Sequence, residues 1–502
     1  MSNPRERRLR QQACIVADGR LRCLIRQEKS NHPCAQRKPE IDNGNMMHVK
    51  DPSEELSSAP QAELPANCAR ATTVAAEPGS KSTSKSLLSS GLRNGIALFD
   101  QALVSGTRFT TTFIIGRVCG PDALGNYSLA FTFLILISCL QQALLGQPYT
   151  VYGNRLDGKR RARLAGSVLM HYVLLSLVSM VGLSIAATVI FAGVGPPQLF
   201  SILLVLIAVN AFSLLWELGR WFAYAHLKLG SVVAMDFTIA VLQIGGILVL
   251  AGLGWLNVKS AYLMIGVACG LVGLSWLILN RKQFVIRRKA IRTDWRRNWS
   301  LGRWLAASQV TGVLHGHVMN WTLAFMVGTF ATGVFVAGES IVLLSNPIIL
   351  GIGNLLCAET AQAYTQGGKS RVKKVTIRAA GLMMAAMAVL YVVLVLASDE
   401  LIWLFYGEQY EGTGRFVAVL AACTFAWAIT AAVSKGLLAI EKSDIIFRGS
   451  LFGFAVTLVL GFLLVPGWET LGAAWALLCG SVASAAFQSI AFLWWSKSRT
   501  VI

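Results

Sequence analysis

The sequence predicts an all-α integral membrane protein in which twelve transmembrane helices form two six-helix lobes around a central cavity. Three observations lead to this fold class: twelve long apolar segments, an uneven distribution of Lys and Arg between the loops, and an internal repeat. The composition agrees. A chain of 502 residues that is 54% hydrophobic and only 14% charged, with a mean hydropathy of +0.56, has lipid as its main solvent.

Each apolar segment is near or above the ~20 residues that an α-helix needs to cross the hydrocarbon core of a membrane. In chain order the predicted spans are 95–117, 124–150, 164–192, 199–219, 231–252, 261–280, 304–327, 334–361, 379–397, 415–434, 449–465 and 472–494. Because their number is even, both chain ends lie on the same side of the membrane.

Lys and Arg are concentrated in every second connection between spans. The segments on one side hold 29 of them, and these segments are 81–93, 155–163, 220–229, 281–303, 369–378, 435–448 and the C-terminal tail. The opposite loops hold only Arg117, Lys259 and Arg415. Cytoplasmic loops carry the excess of basic residues, so we expect a multi-pass protein of the cytoplasmic (inner) membrane with both termini in the cytoplasm. The same bias accounts for the net charge of +20, and we expect no nucleic acid partner.

The chain divides into four predicted regions. Residues 1–90 are rich in Arg, Ser, Pro, Glu and Ala and contain no long apolar run, which predicts a disordered cytoplasmic extension; Met46 and Met47 leave open a later start of translation. The N-terminal lobe covers 91–280, a basic cytoplasmic linker covers 281–303, and the C-terminal lobe covers 304–502. No CxxC motif or Cys/His spacing typical of a metal site occurs, so we expect neither a metal nor a cofactor.

The two lobes share a short glycine motif. Gly120-x4-Gly125-x-Tyr127 follows the first span, and the same pattern, Gly328 to Phe335, follows the seventh span 208 residues later. Glycine suits a tight reversal because a β-carbon obstructs the backbone conformations that such a turn needs. Six spans in each half give both repeats the same orientation, related by an axis along the membrane normal, with a cavity between the lobes near the midplane.

The first of these turns carries a resemblance to a known family. Arg117-Val-Cys-Gly-Pro-Asp-Ala-Leu-Gly-Asn-Tyr-Ser-Leu-Ala130 resembles the R-x-L-G-P-x-x-x-G-x-Y-x-x-A turn of polysaccharide flippases, with Cys119 in place of leucine. These flippases belong to the multidrug/oligosaccharidyl-lipid/polysaccharide (MOP) exporter superfamily. Further resemblances to family motifs, all within about 92–497, lie at Gly328–Phe335, Phe405–Tyr410, Leu464–Pro466 and Gly472–Ala476. The sequence departs from the family at Asn320, where relatives often carry an acid, and at Glu469, where they carry glycine.

The resemblance implies a transporter rather than an enzyme. Its cargo would be a polyprenyl-pyrophosphate-linked oligosaccharide, a membrane lipid-linked glycan that alternating access of the two lobes moves across the membrane for polysaccharide biosynthesis, and polysaccharide-assembly proteins are candidate partners. Two alternatives stay open. One is a cation-coupled multidrug exporter of the same superfamily, and the other is an integral-membrane polysaccharide polymerase or glycosyltransferase. The longest outer loop, about 398–414, is short for such an enzyme.

The first span carries a stripe of polar residues that includes one arginine. The stripe is formed by Gln101, Ser105, Arg108 and Thr112 at positions i, i+4, i+7 and i+11 of the helix. An arginine at the bilayer centre costs about 2.5–3.5 kcal/mol on insertion scales, which favours a wet cavity or an anionic partner. Its planar fork fits the oxygens of a diphosphate, so Arg108 is the main candidate for substrate binding. The alternative is a structural salt bridge to Glu217, Asp236 or Glu339.

Spans four and seven supply the other candidates. Further cavity candidates are Asn210, Ser213, Glu217, Arg220, Gln309 and Asn320, and candidates for ion coupling are Asp236, His315, His317 and Glu339. Glu217 and Arg220 are expected to pair on one face of span four, as an interfacial salt bridge or as a gate between the lobes. Asp100 is expected to snorkel or to cap its helix. For the ion-coupling set, hydrogen bonding and structural pairing are the alternatives.

Overall fold

The computed structural model describes residues 85–410 and 414–497, and these form α-helices joined by short turns, with no β-strand among them. The predicted disordered extension lies outside the described residues except for 85–90, which belong to the first helix. The all-α fold class predicted from the sequence is confirmed for the described residues, which form twelve long helices. We refer to the first six as the N lobe and to the last six as the C lobe.

The N lobe contains α1 to α6. These are α1 (Lys85–Cys119), α2 (Pro121–Gln141, continued by a π-helical turn Gln142–Gly146 and by Gln147–Gly153), α3 (Gly158–Phe191), α4 (Gln198–Ala225), α5 (Leu229–Gly252) and α6 (Val258–Asn280).

The C lobe contains α7 to α12 and one short helix, Ser398–Tyr406. Helix α7 is Arg288–Met326, α8 begins as Thr329–Val342 and resumes at Asn346 after a 3₁₀ turn, and α10 is Gly414–Ala439. The non-helical residues Gly367 and Gly368 separate α8 from α9 within Asn346–Leu396. Likewise, Glu469 (φ 46°) separates α11 from α12 within Ser443–Lys497.

Among the described residues, nine helical segments are long and apolar enough to cross a membrane, and Ser443–Ser496, which holds both α11 and α12, counts as one of them. Helices α1 and α7, with 35 and 39 residues, are long enough but are not in this set. Both carry polar candidates that the sequence analysis singled out, as α4 also does.

Much of the predicted basic linker is helical. Residues 288–303 form the first turns of α7, and they pack against α3, where Nε2 of His171 lies 2.9 Å from the carbonyl oxygen of Ile291. The rings of His171 and Trp295 are 5.2 Å apart. We call the end of the bundle that carries this segment the basic end, and the opposite end, which carries the turns at Gly120 and Gly328, the turn end.

The two lobes touch at the turn end through the repeated motif. The first glycines, Gly120 (φ 84°) and Gly328 (φ 127°), adopt the left-handed backbone that the turn requires. The second glycines pack against each other: a β-carbon on Gly125 would overlap the carbonyl oxygen of Thr329 and lie 3.0 Å from the backbone nitrogen of Gly333. Glycine at these positions therefore lets α2 and α8 cross with their backbones in contact.

Two further contacts close the turn end. Oγ1 of Thr329 donates a hydrogen bond to Oδ1 of Asp122 at 2.6 Å, across the lobe boundary. The guanidinium of Arg117, in the last turn of α1, donates to the carbonyl oxygens of Leu404 and Phe405 in the short helix of the C lobe, at 2.5 and 3.1 Å. In this conformation the lobes are joined at the turn end.

Candidate functional site

A cavity of about 580 Å³ lies between the lobes, beyond the closure and toward the middle of the helices. Its walls come from α1 and α2 of the N lobe and from α7, α8, α10 and α12 of the C lobe. On α2 the lining begins at Tyr127, two residues after the Gly125 contact, and reaches Ile135. This volume is within the range of about 300–1,000 Å³ typical of small-molecule sites.

Arg108 is the one Lys or Arg among the described residues that line this cavity. Its side chain is exposed to the cavity, and its guanidinium carbon lies 5.6 Å from the centre of the Phe131 ring. Glu217 and Arg220 act on it electrostatically, but no described carboxylate forms an ion pair with it. The salt bridges considered from the sequence are thus not formed among the described residues, and the Arg108 guanidinium is left facing the cavity.

Part of the α1 stripe shares this wall. Ser105 and Thr112 line the cavity with Arg108, and Oγ1 of Thr112 donates to the Arg108 carbonyl oxygen at 2.9 Å. Gln101, one turn nearer the basic end, is not among the lining residues. The periodicity of α1 therefore placed three of its four polar residues on one cavity wall.

The two histidines of α7 both line the cavity but differ in their partners. Nε2 of His315 lies 3.1 Å from Oγ1 of Thr457 on α11, which anchors the ring within the C lobe. Nδ1 of His317 is buried without a hydrogen-bond partner, and Arg108 acts on this ring electrostatically. His317 thus lines the cavity without the kind of hydrogen bond that anchors His315.

Asn320 connects the lobes beside the cavity. Its side chain is buried, and Nδ2 donates to Oγ of Ser128 on α2 at 3.0 Å and lies 3.5 Å from Oε2 of Glu339. Glu339 lines the cavity, whereas Asn320 lies behind it. The Asn320 amide therefore holds a carboxylate of α8 and a hydroxyl of the N lobe.

The remaining cavity candidates lie away from the described lining. Asn210 donates to Oγ of Ser179 on α3 at 2.6 Å, Ser213 bonds within α4, and Oε1 of Gln309 is buried without a partner. Glu217 is half-buried and interacts with Ser138 and Trp221. The α4 candidates Asn210, Ser213 and Glu217 are therefore not part of the described cavity wall.

Arg220 forms a buried charge cluster rather than the expected pair with Glu217. Its Nη2 lies 3.2 Å from Oδ2 of Asp100 and its Nε 2.9 Å from Oδ2 of Asp236. The hydroxyl of Tyr224 donates to Asp100 at 2.6 Å, and Nε1 of Trp216 donates to Asp236 at 3.1 Å. This corrects two expectations: Glu217 is not the ion-pair partner of Arg220, and Asp100 does not snorkel, since it is 1% exposed. Helical spacing alone favoured a local pair, whereas the partners come from α1 and α5.

Several lining residues were not anticipated from the sequence. Trp427 of α10, Tyr127 of α2 and the α8 residues Ser340 and Asn346 all line the cavity. An aromatic residue inside an apolar span has the same appearance whether it packs in a core or faces a cavity. For Asn346, the neighbouring Pro347 and the break in α8 were the available signals.

No protein-family model and no curated protein matches the chain, but solved structures do. An inward-facing multidrug resistance MATE family transporter of the MOP superfamily has a TM-score of 0.66 and 17% identity, over 77% of this chain and 92% of that chain. The lipid II flippase MurJ in an inward closed conformation has a TM-score of 0.67 and 13% identity, over 80% and 87%. The chain has the fold of these two transporters.

Two further solved structures of transporters are similar to the chain. An outward-facing structure of a MATE family transporter of the superfamily has a TM-score of 0.59, with 15% identity over 80% of this chain and 96% of that chain. A MOP superfamily transporter from Pyrococcus furiosus, described as having a binding pocket of reverse polarity, also has a TM-score of 0.59 and 15% identity, over 80% and 94%.

Proposed function

We propose that this protein flips a polyprenyl-diphosphate-linked oligosaccharide across the cytoplasmic membrane by alternating access of its two lobes. The observation that carries the proposal is the guanidinium of Arg108, which faces the interlobe cavity without an ion-pair partner among the described residues. The MOP fold supports transport as the class of activity, and the polarity of the cavity supports the class of cargo.

An anionic group of the cargo would neutralise the positive charge of Arg108. An arginine at the bilayer centre costs about 2.5–3.5 kcal/mol, and this cost falls when a bound anion pairs with it. A diphosphate offers paired oxygens to the planar fork of the guanidinium. His317 lines the same cavity from the C lobe. No covalent chemistry is required, because the glycolipid that leaves the protein is chemically identical to the one that entered it.

The direction of transport follows from the charge distribution. We assign the basic end to the cytoplasm on the strength of its Lys and Arg. With the lobes joined at the turn end, cargo made on the cytoplasmic face would load into the cavity from the basic end. Export would then require α2 and α8 to separate at Gly125 and Gly333, while the polyprenyl tail stays in the membrane.

A cation-coupled multidrug exporter is the second candidate, favoured by the carboxylates buried inside the lobes. Asp100 and Asp236 are 1% and 3% exposed, but Arg220 already pairs with both. Arg108 would repel a cationic drug from the N lobe.

The polymerase alternative would need catalytic carboxylates in the outer loop. Oδ1 of Asp399 in the short helix accepts a hydrogen bond from the backbone nitrogen of Gly414 at 2.9 Å. This contact gives Asp399 a structural role in holding the start of α10.

The test is complementation of a strain that lacks the gene. We expect that strain to accumulate finished polyprenyl-diphosphate glycan on the cytoplasmic leaflet and to lose surface glycan, and the parental gene to restore export. Arg108→Ala should lower export at least about tenfold, because a hydrogen bond to a charged group contributes about 1.5–3 kcal/mol and each 1.4 kcal/mol is a factor of ten. Arg108→Lys keeps the charge and should retain part of the activity.

Arg448→Ala serves as the matched control, since Arg448 is 70% exposed and pairs only with Asp444 on its own helix among the described residues. Export at the parental rate by a normally inserted Arg108→Ala variant would disprove the role of Arg108. Normal glycan on both leaflets of the deletion strain would reject the flippase and favour the drug exporter, whereas single repeat units on the outer leaflet would favour the polymerase.

A further inference from the structure

The C-lobe wall of the cavity differs chemically from the N-lobe wall. It carries Trp427 of α10, Glu339 and Asn346 of α8 and the two histidines of α7, while the N-lobe wall carries Arg108. No Lys or Arg of the C lobe is among the described lining residues. A wall with one flat aromatic ring and a few hydrogen-bonding groups is suited to a polar, uncharged ligand.

Trp427 offers its ring rather than its N–H to the cavity. Its Nε1 donates to Oγ of Ser481 on α12 at 3.2 Å, so the polar edge of the indole is already satisfied inside the C lobe. The part of the side chain that lines the cavity is therefore carbon. The electron-rich face of an aromatic ring attracts the weakly positive C–H groups of a sugar ring, which present a flat apolar surface of similar size.

Two neighbouring groups can bind hydroxyls. The side chain of Asn346 is half-buried, lines the cavity and makes no hydrogen bond within the described part of the chain. The carboxylate of Glu339 is held through one oxygen by Asn320, at a long 3.5 Å, so acceptor capacity is left. An amide donates and accepts and a carboxylate accepts, and together they match the donors and acceptors of a polyol.

The charges on the two walls allow one orientation of the cargo. Glu339 is the one carboxylate, and Arg108 the one guanidinium, among the described lining residues, and they belong to different lobes. A diphosphate beside Glu339 would meet like charge in a site with little water, where repulsion is strong. The anionic end of the cargo is therefore directed to the N lobe and its uncharged end to the C lobe.

We infer that Trp427, Asn346 and Glu339 form a sugar-binding subsite in the C lobe, which receives the first rings of the glycan while Arg108 holds the diphosphate. This inference rests on the proposed function and adds a second binding element to it. Cargo then contacts both lobes at once, and recognition of the glycan is separate from recognition of the diphosphate.

Binding by the purified full-length protein in nanodiscs tests this division. The two probes are polyprenyl diphosphate without sugar and the polyprenyl-diphosphate glycan extracted from the deletion strain. Trp427→Ala should weaken binding of the glycolipid about five- to tenfold and leave binding of the sugar-free lipid unchanged. Asn346→Ala should act in the same direction, and Trp427→Phe, which keeps an aromatic face, should stay close to the parent. Arg108→Ala should weaken both probes.

Trp468→Ala is the matched control, because Trp468 is an exposed tryptophan on α11 outside the cavity lining. Equal loss of both probes in Trp427→Ala, or no loss of glycolipid binding, would overturn the subsite. A selective loss in Trp427→Ala combined with an unaffected Arg108→Ala would keep the subsite and reject the diphosphate role. Failure of the parental protein to bind either lipid would reject the proposed function itself and the subsite with it.

Discussion

At the residue scale, the two histidines of α7 show how position decides role. They are two residues apart and line the same cavity, yet His315 is fixed by Thr457 while Nδ1 of His317 has no partner. A buried polar atom without a partner carries a desolvation cost of about 1–3 kcal/mol, which a ligand that bonds to it would remove. His317 is therefore the better candidate for contact with cargo.

We expect His317→Leu to lower the export rate about two- to tenfold, since a typical hydrogen bond contributes about 0.5–1.5 kcal/mol, with little change in thermal stability. His315→Leu is the matched comparison and should lower the unfolding temperature more than export per folded molecule, because it leaves the Thr457 hydroxyl without the imidazole. Glycolipid export and thermal unfolding in detergent measure both effects. Indistinguishable behaviour of the two variants in both assays would contradict the assignment.

At the element scale, Arg220 holds three helices of the N lobe together. Its guanidinium reaches Asp100 on α1 and Asp236 on α5 from α4, and it lies near the rings of Trp216 and Tyr224, 5.2 and 5.8 Å from their centres. The side chains of the two aspartates are 2% and 1% exposed. Removing one partner of such a buried cluster destabilises the fold, because the remaining charges stay buried without a counter-charge.

Arg220→Met should destabilise the protein by about 3–5 kcal/mol, because it leaves two buried carboxylates without a counter-charge. We expect Arg220→Met combined with Asp100→Asn and Asp236→Asn to recover much of this loss. Arg448→Met, at an exposed pair, should cost no more than about 1 kcal/mol. Unfolding monitored in detergent provides the comparison, and a single Arg220→Met variant as stable as the parent would show that the cluster does not join these helices energetically.

The limits of sequence reasoning are clearest in this cluster. Helix existence, the two lobes and the cavity-facing stripe of α1 were predictable, because apolar length and a polar residue in hydrocarbon both stand out in a sequence. The partners of Arg220 were not, because they lie 120 and 16 residues away on other helices and only tertiary packing selects them. Trp427 was missed for a related reason, since nothing in an apolar span distinguishes a cavity-facing ring from a core ring.

At the scale of the whole molecule, the contact of α2 with α8 determines which end is closed. A β-carbon on Gly333 would overlap the carbonyl oxygen of Pro121, and backbone atoms cannot move aside as a flexible side chain can. The closure therefore depends on glycine at this position. Because the alternating access proposed above requires the same contact to form and break, a change here should alter the balance between conformations.

We expect Gly333→Ala to open the turn end and raise the reactivity of a cysteine introduced by Thr329→Cys toward a membrane-impermeant thiol reagent several-fold. Gly381→Ala is the control, since a β-carbon there meets no atom within 4 Å and alanine favours the helix by about 1 kcal/mol. The protein without Thr329→Cys measures the background from its natural cysteines. If Thr329→Cys reacts equally fast with and without Gly333→Ala, the glycine contact does not keep this end closed.

The contact between Gly125 and Gly333 also restricts which residues the two copies of the motif can carry. Equivalent positions of the two copies face each other, as equivalent residues do across the two-fold axis of a symmetric homodimer. Each glycine therefore limits the size of the residue that faces it. A larger residue at either position cannot be accommodated by a smaller partner, because glycine is already the smallest residue. The two copies of the motif therefore resemble the matching contact surfaces of two subunits, and a substitution in one copy requires a compensating change in the other.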